Sequence, residues 1–200
     1  MSVFTTYLQL GFLHICSWQA TDHLTFLLAL CAPYVLSDWK RIMALVTSFT
    51  VGHSITLALA TLGGVGVNVA VVETLIPVTI MATALVNMYQ AGPALARRPR
   101  RDMPIWWTAP NALATAFGLI HGLGFSSYLR ALLGQQSRPV AELLSFNLGV
   151  ELGQLLVVSV ILLVGFVVLR MLGAVRRDWI LTISGAVLGA ATLLLLQLHS

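Results

Sequence analysis

One stretch limits what this chain can fold into more than any other. Between Leu143 and Leu169 the sole charged residue is Glu151. An apolar run of that length suits a bilayer crossing rather than a soluble core. A carboxylate inside it is expensive to bury without a partner. Asn147, Glu151 and Gln154 stand at i, i+4 and i+7, so one helical face carries all three. Gly149 and Gly153 form a small-xxx-small pair, which lets a neighbouring helix approach closely.

The same pattern extends over the whole chain. Of its 200 residues, 58% are hydrophobic and 9% charged, where a soluble domain carries about 25% charged residues. The reading is an all-α, polytopic transmembrane helical bundle, a single integral membrane domain over residues 1–200. The net charge of +4 does not point to nucleic acid, because the basic residues sit in short clusters between apolar runs, as topology signals do. Cys16 and Cys31 form no CxxC, so a thiolate metal site has no support.

Six spans are predicted: 21–36, 42–62, 69–89, 111–133, 140–169 and 180–198. Thr21 or Asp22 is placed to cap the first. Pro77 predicts a kink in the third, and the fifth is long for one crossing. Residues 1–18 lack a basic n-region and a cleavage site, so they are read as retained. Being short for a crossing, they predict a re-entrant or interfacial helix. Basic clusters at Lys40–Arg41, Arg97–Arg101 and Arg170–Arg177 follow spans one, three and five. The positive-inside rule then puts both termini on the outer side of a bacterial cytoplasmic (inner) membrane.

Polar side chains within these spans gather at similar depths. Asp22 and His23 begin span one, His53 and His121 lie near the middle of spans two and four, and Glu73 and Glu151 lie in the outer halves of spans three and five. His14 joins them if residues 1–18 fold inward. Singly, each has a structural reading as a helix cap or an inter-helix hydrogen-bond partner. As a set they offer imidazole and carboxylate ligands to a divalent transition metal such as zinc, nickel, cobalt or iron. Asn147 and Gln154 are placed to support such ligands. Asn87 and Asn111 are polar groups near the inner ends of spans three and four, which suits an exit route. A weak internal echo relates Phe49–His53 to Phe117–His121.

Several of these segments resemble the HupE/UreJ family of membrane proteins: Gly11-Phe12-Leu13-His14-Ile15, Asp22-His23-Leu24-Thr25-Phe26-Leu27-Leu28 and Phe49-Thr50-Val51-Gly52-His53-Ser54-Ile55-Thr56-Leu57. So do Val72-Glu73, Phe117-Gly118-Leu119-Ile120-His121-Gly122-Leu123-Gly124-Phe125 and Phe146-Asn147-Leu148-Gly149-Val150-Glu151-Leu152-Gly153-Gln154. The resemblance runs from about residue 10 to residue 160. It implies a nickel permease or accessory protein whose polar motif residues are His14, Asp22, His23, His53, Glu73, His121 and Glu151. Cys16–Thr21 departs from the family's small or glycine-rich spacer.

Three functions fit these observations. The leading one is transport of a nickel-like divalent metal through an intramembrane His/Asp/Glu site, with nickel or zinc the foremost ions. No GxxxxGK loop is present, so uptake would not draw on a nucleotide bound by this chain. The second is a metal-dependent intramembrane hydrolase, although no HExxH occurs. The third is metal delivery or assembly for a membrane or periplasmic metalloprotein. The partners foreseen are the metal ion, the lipid bilayer and such a metalloprotein, with no nucleic acid.

Overall fold

Apolar runs separated by turn residues become helices throughout. The computed structural model describes residues 2–17, 20–63, 68–92, 105, 106, 108–132 and 139–198, and all regular structure among them is helical. The arginines at 97–101, the glycines at 64 and 66, Trp18, Arg138 and His199 lie outside the described residues.

Among the described residues, seven α-helices follow one another: α1 (Val3–Cys16), α2 (Thr21–Cys31), α3 (Trp39–Thr61), α4 (Val69–Gln90), α5 (Ala109–Leu132), α6 (Pro139–Phe166) and α7 (Arg176–Gln197). A 3-10 turn over Leu36–Asp38 leads into α3, and a π-helical turn over Val167–Met171 closes α6. Local chemistry sets several boundaries. Ser2 Oγ accepts the Thr5 amide at the start of α1, and Asn68 Oδ1 accepts the Val71 amide at the start of α4. Gly63, at φ +83°, takes the left-handed conformation just beyond α3, which glycine adopts without steric cost. The start of α2 differs from expectation. Its cap is Ala20, with no side-chain cap bond, and the Asp22 carboxylate is turned to His23 instead.

Among the described residues, four helices are long and apolar enough to cross a membrane: Leu36–Thr61 (with its leading 3-10 turn), Val69–Gln90, Val140–Met171 (with its π turn) and Arg176–Gln197. Their outward faces are greasy. Leu144, Leu148, Leu152, Leu156, Val160 and Leu163 form an exposed ridge along α6. The opposite face of α6 buries Ser145, Gly149, Gly153 and Gln154. Such an outward apolar ridge is a liability in water and ordinary in lipid. The protein is a multi-pass, all-helical membrane bundle.

Glycine sets two of its closest helix pairs. In the first, α1 lies along the leading half of α6 and runs parallel to it. A Cβ built on Gly11 would stand 2.0 Å from the Phe146 carbonyl oxygen, and one on Gly149 would stand 2.1 Å from that of Leu8. Gly153 faces Phe12 and Ile15 one turn further on. The small-xxx-small pair therefore receives a helix, and that helix is α1. In the second pair α3 and α5 run parallel: Gly52 meets Thr115, Gly118 meets Phe49 and Gly122 meets His53, each with a would-be Cβ at 2.1–2.2 Å from a carbonyl oxygen. The two segments of the internal echo are thus direct neighbours. A Cβ built on Gly185 or Gly189 of α7 would meet no neighbouring element within 4 Å among the described residues.

Beyond the end of α1 at Cys16, α2 starts at Thr21 and runs antiparallel to α3. His23 stands near His53 with ring centroids 6.3 Å apart, and Phe26 near Phe49 at 4.8 Å. Polar groups also tie these helices together. Asn87 Nδ2 donates to the Ala29 carbonyl at 2.6 Å, binding the end of α4 to the last turns of α2. Asn111 Nδ2 donates to Ser48 Oγ at 2.9 Å, while its Oδ1 accepts from Thr108. Both asparagines, expected to suit an exit route, serve as inter-helix ties.

Candidate metal centre

The break between α1 and α2 is where the imidazoles meet. His14 sits in the last turn of α1, Asp22 and His23 in the first turn of α2, and His53 and His121 near the middle of α3 and α5. Ring centroids are 4.7 Å apart for His14 and His23, 6.4 Å for His14 and His53, and 5.6 Å for His23 and His121. Among the described residues, two groups have ligand atoms all within 4.8 Å of one another: His14, His23 and His53, and Asp22, His23 and His121. His23 belongs to both. Potential His/Asp metal-binding clusters therefore lie within and beside the membrane helices.

The surroundings explain how the rings are held. Phe125 and Phe146 pack on His14, and Phe26 and Phe49 on His121. His53 and His121 are 0% and 1% exposed, so neither draws hydrogen bonds from bulk water. The site also lies between two apolar cores, one built around Ile15, Phe146 and Val150 and the other around Phe26, Phe49 and Ile80.

Hydrogen bonds fix which nitrogens face the cluster. His23 Nδ1 lies 3.0 Å from Asp22 Oδ1. An ionised carboxylate only accepts, so Nδ1 carries the proton and Nε2 keeps its lone pair. Thr79 Oγ1 gives its single hydrogen to the Ile76 carbonyl at 2.7 Å, so at 3.2 Å it accepts from His121 Nε2. That leaves the lone pair of His121 on Nδ1. The freed atoms, His23 Nε2 and His121 Nδ1, are buried without a hydrogen-bond partner, as is His14 Nε2, and the buried His53 ring has the Asn147 side chain beside it and at least one nitrogen unpaired. Buried polar atoms are nearly always paired. Four histidines with unpaired nitrogens around one point have the chemistry of a metal-binding set.

The carboxylates separate. Asp22 stays with the imidazoles. Glu73 lies exposed near the start of α4, outside both groups. Glu151 also lies outside them: Thr47 Oγ1 donates to its Oε1 at 2.9 Å. Gln154 is 1% exposed and bonded to Thr50. Asn147 is the member of that face nearest the rings. Its side chain lies beside His53, its Nδ2 donates to the Leu143 carbonyl, and its Oδ1 is unpartnered. Neither group includes a cysteine, and Cys16 and Cys31 carry free thiols.

The model of the HupE / UreJ protein family matches residues 1–198. The chain belongs to that family. No curated protein and no solved structure matches it. The HupE/UreJ match covers α1 as well as α6, so the helix carrying His14 is part of the family unit.

Three threonines escaped the sequence reading: Thr79, Thr47 and Thr50. A threonine in an apolar helix commonly bonds its own preceding turn, and nothing in their spacing marks them out. Thr79 has a testable consequence. Thr79→Val keeps the volume and removes the acceptor that holds the His121 ring. Outer partners of metal-binding histidines are worth about 10–100-fold in affinity. Nickel or zinc titration of this variant should show a loss in that range, together with a lower unfolding temperature because the buried His121 N–H is left without an acceptor. Wild-type affinity would mean that the ring is held by its aromatic neighbours alone.

Proposed function

We propose that this protein carries a divalent transition metal ion, nickel or zinc, across a bacterial inner membrane by way of the His14, Asp22, His23, His53 and His121 cluster. The observation that carries the reading is the convergence of unpaired imidazole nitrogens at a break between two helices. Asp22 holds the tautomer of His23, and His23 is shared by the two three-residue groups. An ion can therefore exchange partners around one ring without leaving all its ligands at once. Transport needs such a site, able both to bind and to release. The hydrolase alternative asks for a carboxylate free to act as a base beside the metal. Asp22 is engaged with His23 and Glu151 with Thr47, so no observation favours it.

The membrane path follows from the same break. α1 and α2 hold 14 and 11 residues. At about 1.5 Å per residue they would extend together for about 37 Å, beyond the ~30 Å of a hydrocarbon core. We read them as one discontinuous crossing with the metal site at its interruption. Interrupted helices of this kind form ion sites in transporters. With α3 to α7 this makes six crossings in one domain, 1–200, with both termini outside. It replaces the re-entrant or interfacial reading of the first 18 residues. Cysteine placed at Arg98 should then resist a membrane-impermeant thiol reagent in intact cells, and labelling as fast as at Gly64→Cys would overturn the topology.

Uptake into vesicles tests the function. Purified protein reconstituted in liposomes that enclose a metal-sensitive dye should admit nickel or zinc faster than protein-free vesicles. His53→Ala should return the rate to background. No protein-dependent uptake of either ion would refute transport.

A further inference from the structure

A second polar layer lies below the imidazoles, and no ligand of the proposed metal centre belongs to it. On α3, Thr50 and Thr47 precede His53 by three and six residues, or about 5 and 9 Å along the helix axis toward the Lys40–Arg41 end. Both face α6. Thr47 Oγ1 donates to Glu151 Oε1 at 2.9 Å, and Thr50 Oγ1 lies 2.7 Å from Gln154 Oε1.

A proton count shows that this layer is incomplete. Thr50 Oγ1 is also 3.0 Å from the Val46 carbonyl oxygen, and a hydroxyl has one hydrogen to give. If Thr50 bonds Val46, the Gln154 amide must turn its nitrogen to the threonine oxygen and leave its own carbonyl oxygen bare. If Thr50 bonds Gln154, the amide nitrogen is bare, as in the arrangement observed. The first arrangement satisfies both Thr50 contacts at once and leaves a bare carbonyl oxygen on a side chain that is 1% exposed, an acceptor that is costly to bury unless a cation or a donor fills the place. Asn147 Oδ1, one step closer to His53, is bare as well.

We propose that Thr47, Thr50, Glu151 and Gln154 form a second, oxygen-lined cation station on the inner side of the His/Asp centre, which receives the ion as it leaves the imidazoles. The role in transfer rests on the transport reading above, and the existence of the station does not. Its donors are a carboxylate, an amide carbonyl and two hydroxyls, a hard set that suits divalent cations more weakly than imidazoles suit nickel or zinc. A weaker site next to a stronger one allows release inward. Asn147 stands between the two.

The experiment uses full-length protein in detergent with one equivalent of zinc bound first, so that the imidazoles are occupied. Manganese(II) alone, which favours oxygen ligands, is then titrated and followed by electron paramagnetic resonance. The expected result is one saturable manganese per chain, weakened at least tenfold in Glu151→Gln and in Thr47→Val, while both variants keep the zinc equivalent. Nickel uptake into vesicles should also fall at least tenfold in Glu151→Gln with nickel affinity at the imidazoles unchanged. Absence of a manganese site, or manganese affinity equal in wild type and Glu151→Gln, would overturn the station. Loss of the zinc equivalent in Glu151→Gln would overturn it too, by making Glu151 part of the His/Asp centre. Protein that binds manganese as expected but carries no nickel would refute transport and leave the station standing.

Discussion

Replacing His53 or His121 with alanine is expected to cost more than 100-fold in metal affinity. Each ring is fully buried and offers at least one unpaired nitrogen to the cluster. Loss of a direct ligand should exceed the roughly 10–100-fold that loss of an outer partner costs. The two variants separate the roles of the groups. His53 belongs with His14 and His23, and His121 with Asp22 and His23. His23→Ala removes the shared ring and should be the most severe of the three. Equilibrium dialysis against nickel and zinc measures all of them. Unchanged affinity in both the His53 and the His121 variants would mean that these rings only pack helices together.

The second large effect is on the scaffold. A Cβ at Gly118 would stand 2.1 Å from the Phe49 carbonyl oxygen and 3.0 Å from the His53 amide nitrogen. Neither is a flexible side-chain end, so α3 and α5 must move apart. Overpacking in a tight contact costs about 1–3 kcal/mol, and a backbone collision lies at the upper end. Because α3 carries His53 and α5 carries His121, Gly118→Ala should lower both the unfolding temperature in detergent and the metal affinity. The Cβ of Gly189→Ala on α7 would meet no neighbouring element within 4 Å among the described residues and should change neither. Equal behaviour of the two variants would contradict the close α3–α5 contact.

Much of this architecture can be read from the amino-acid order, for a simple reason. Apolar runs of about 20 residues have few alternatives to a membrane helix; four of the expected spans correspond to the crossing-length helices α3, α4, α6 and α7, and a fifth coincides with the helix α5. The Gly149/Gly153 spacing announced a close helix contact, yet not its partner. α1 is too short to read as a crossing by itself, and its parallel seat on α6 is a matter of packing. The histidines were legible because a buried imidazole is rare enough to stand out. The carboxylates were harder. Depth along a helix can be counted from the sequence, whereas the direction a side chain faces depends on how helices rotate against each other. Glu73 and Glu151 share the outer halves of their spans with the imidazole set by count, but one faces outward and the other turns to Thr47. Asp22 shows the opposite case. Next to His23 in sequence and on the same first turn, it stays with the cluster whatever the helices do.

X-ray absorption at the metal edge tests the central claim most directly. Full-length protein loaded with one equivalent of nickel or zinc and passed through a desalting column should retain the ion. For zinc, its nearest neighbours should be nitrogen or oxygen at about 2.0–2.1 Å, with the outer scattering of at least three imidazole rings. Loss of the metal on desalting, a sulfur shell near 2.3 Å, or an oxygen shell without imidazole scattering would contradict a metal centre built from His14, His23, His53 and His121.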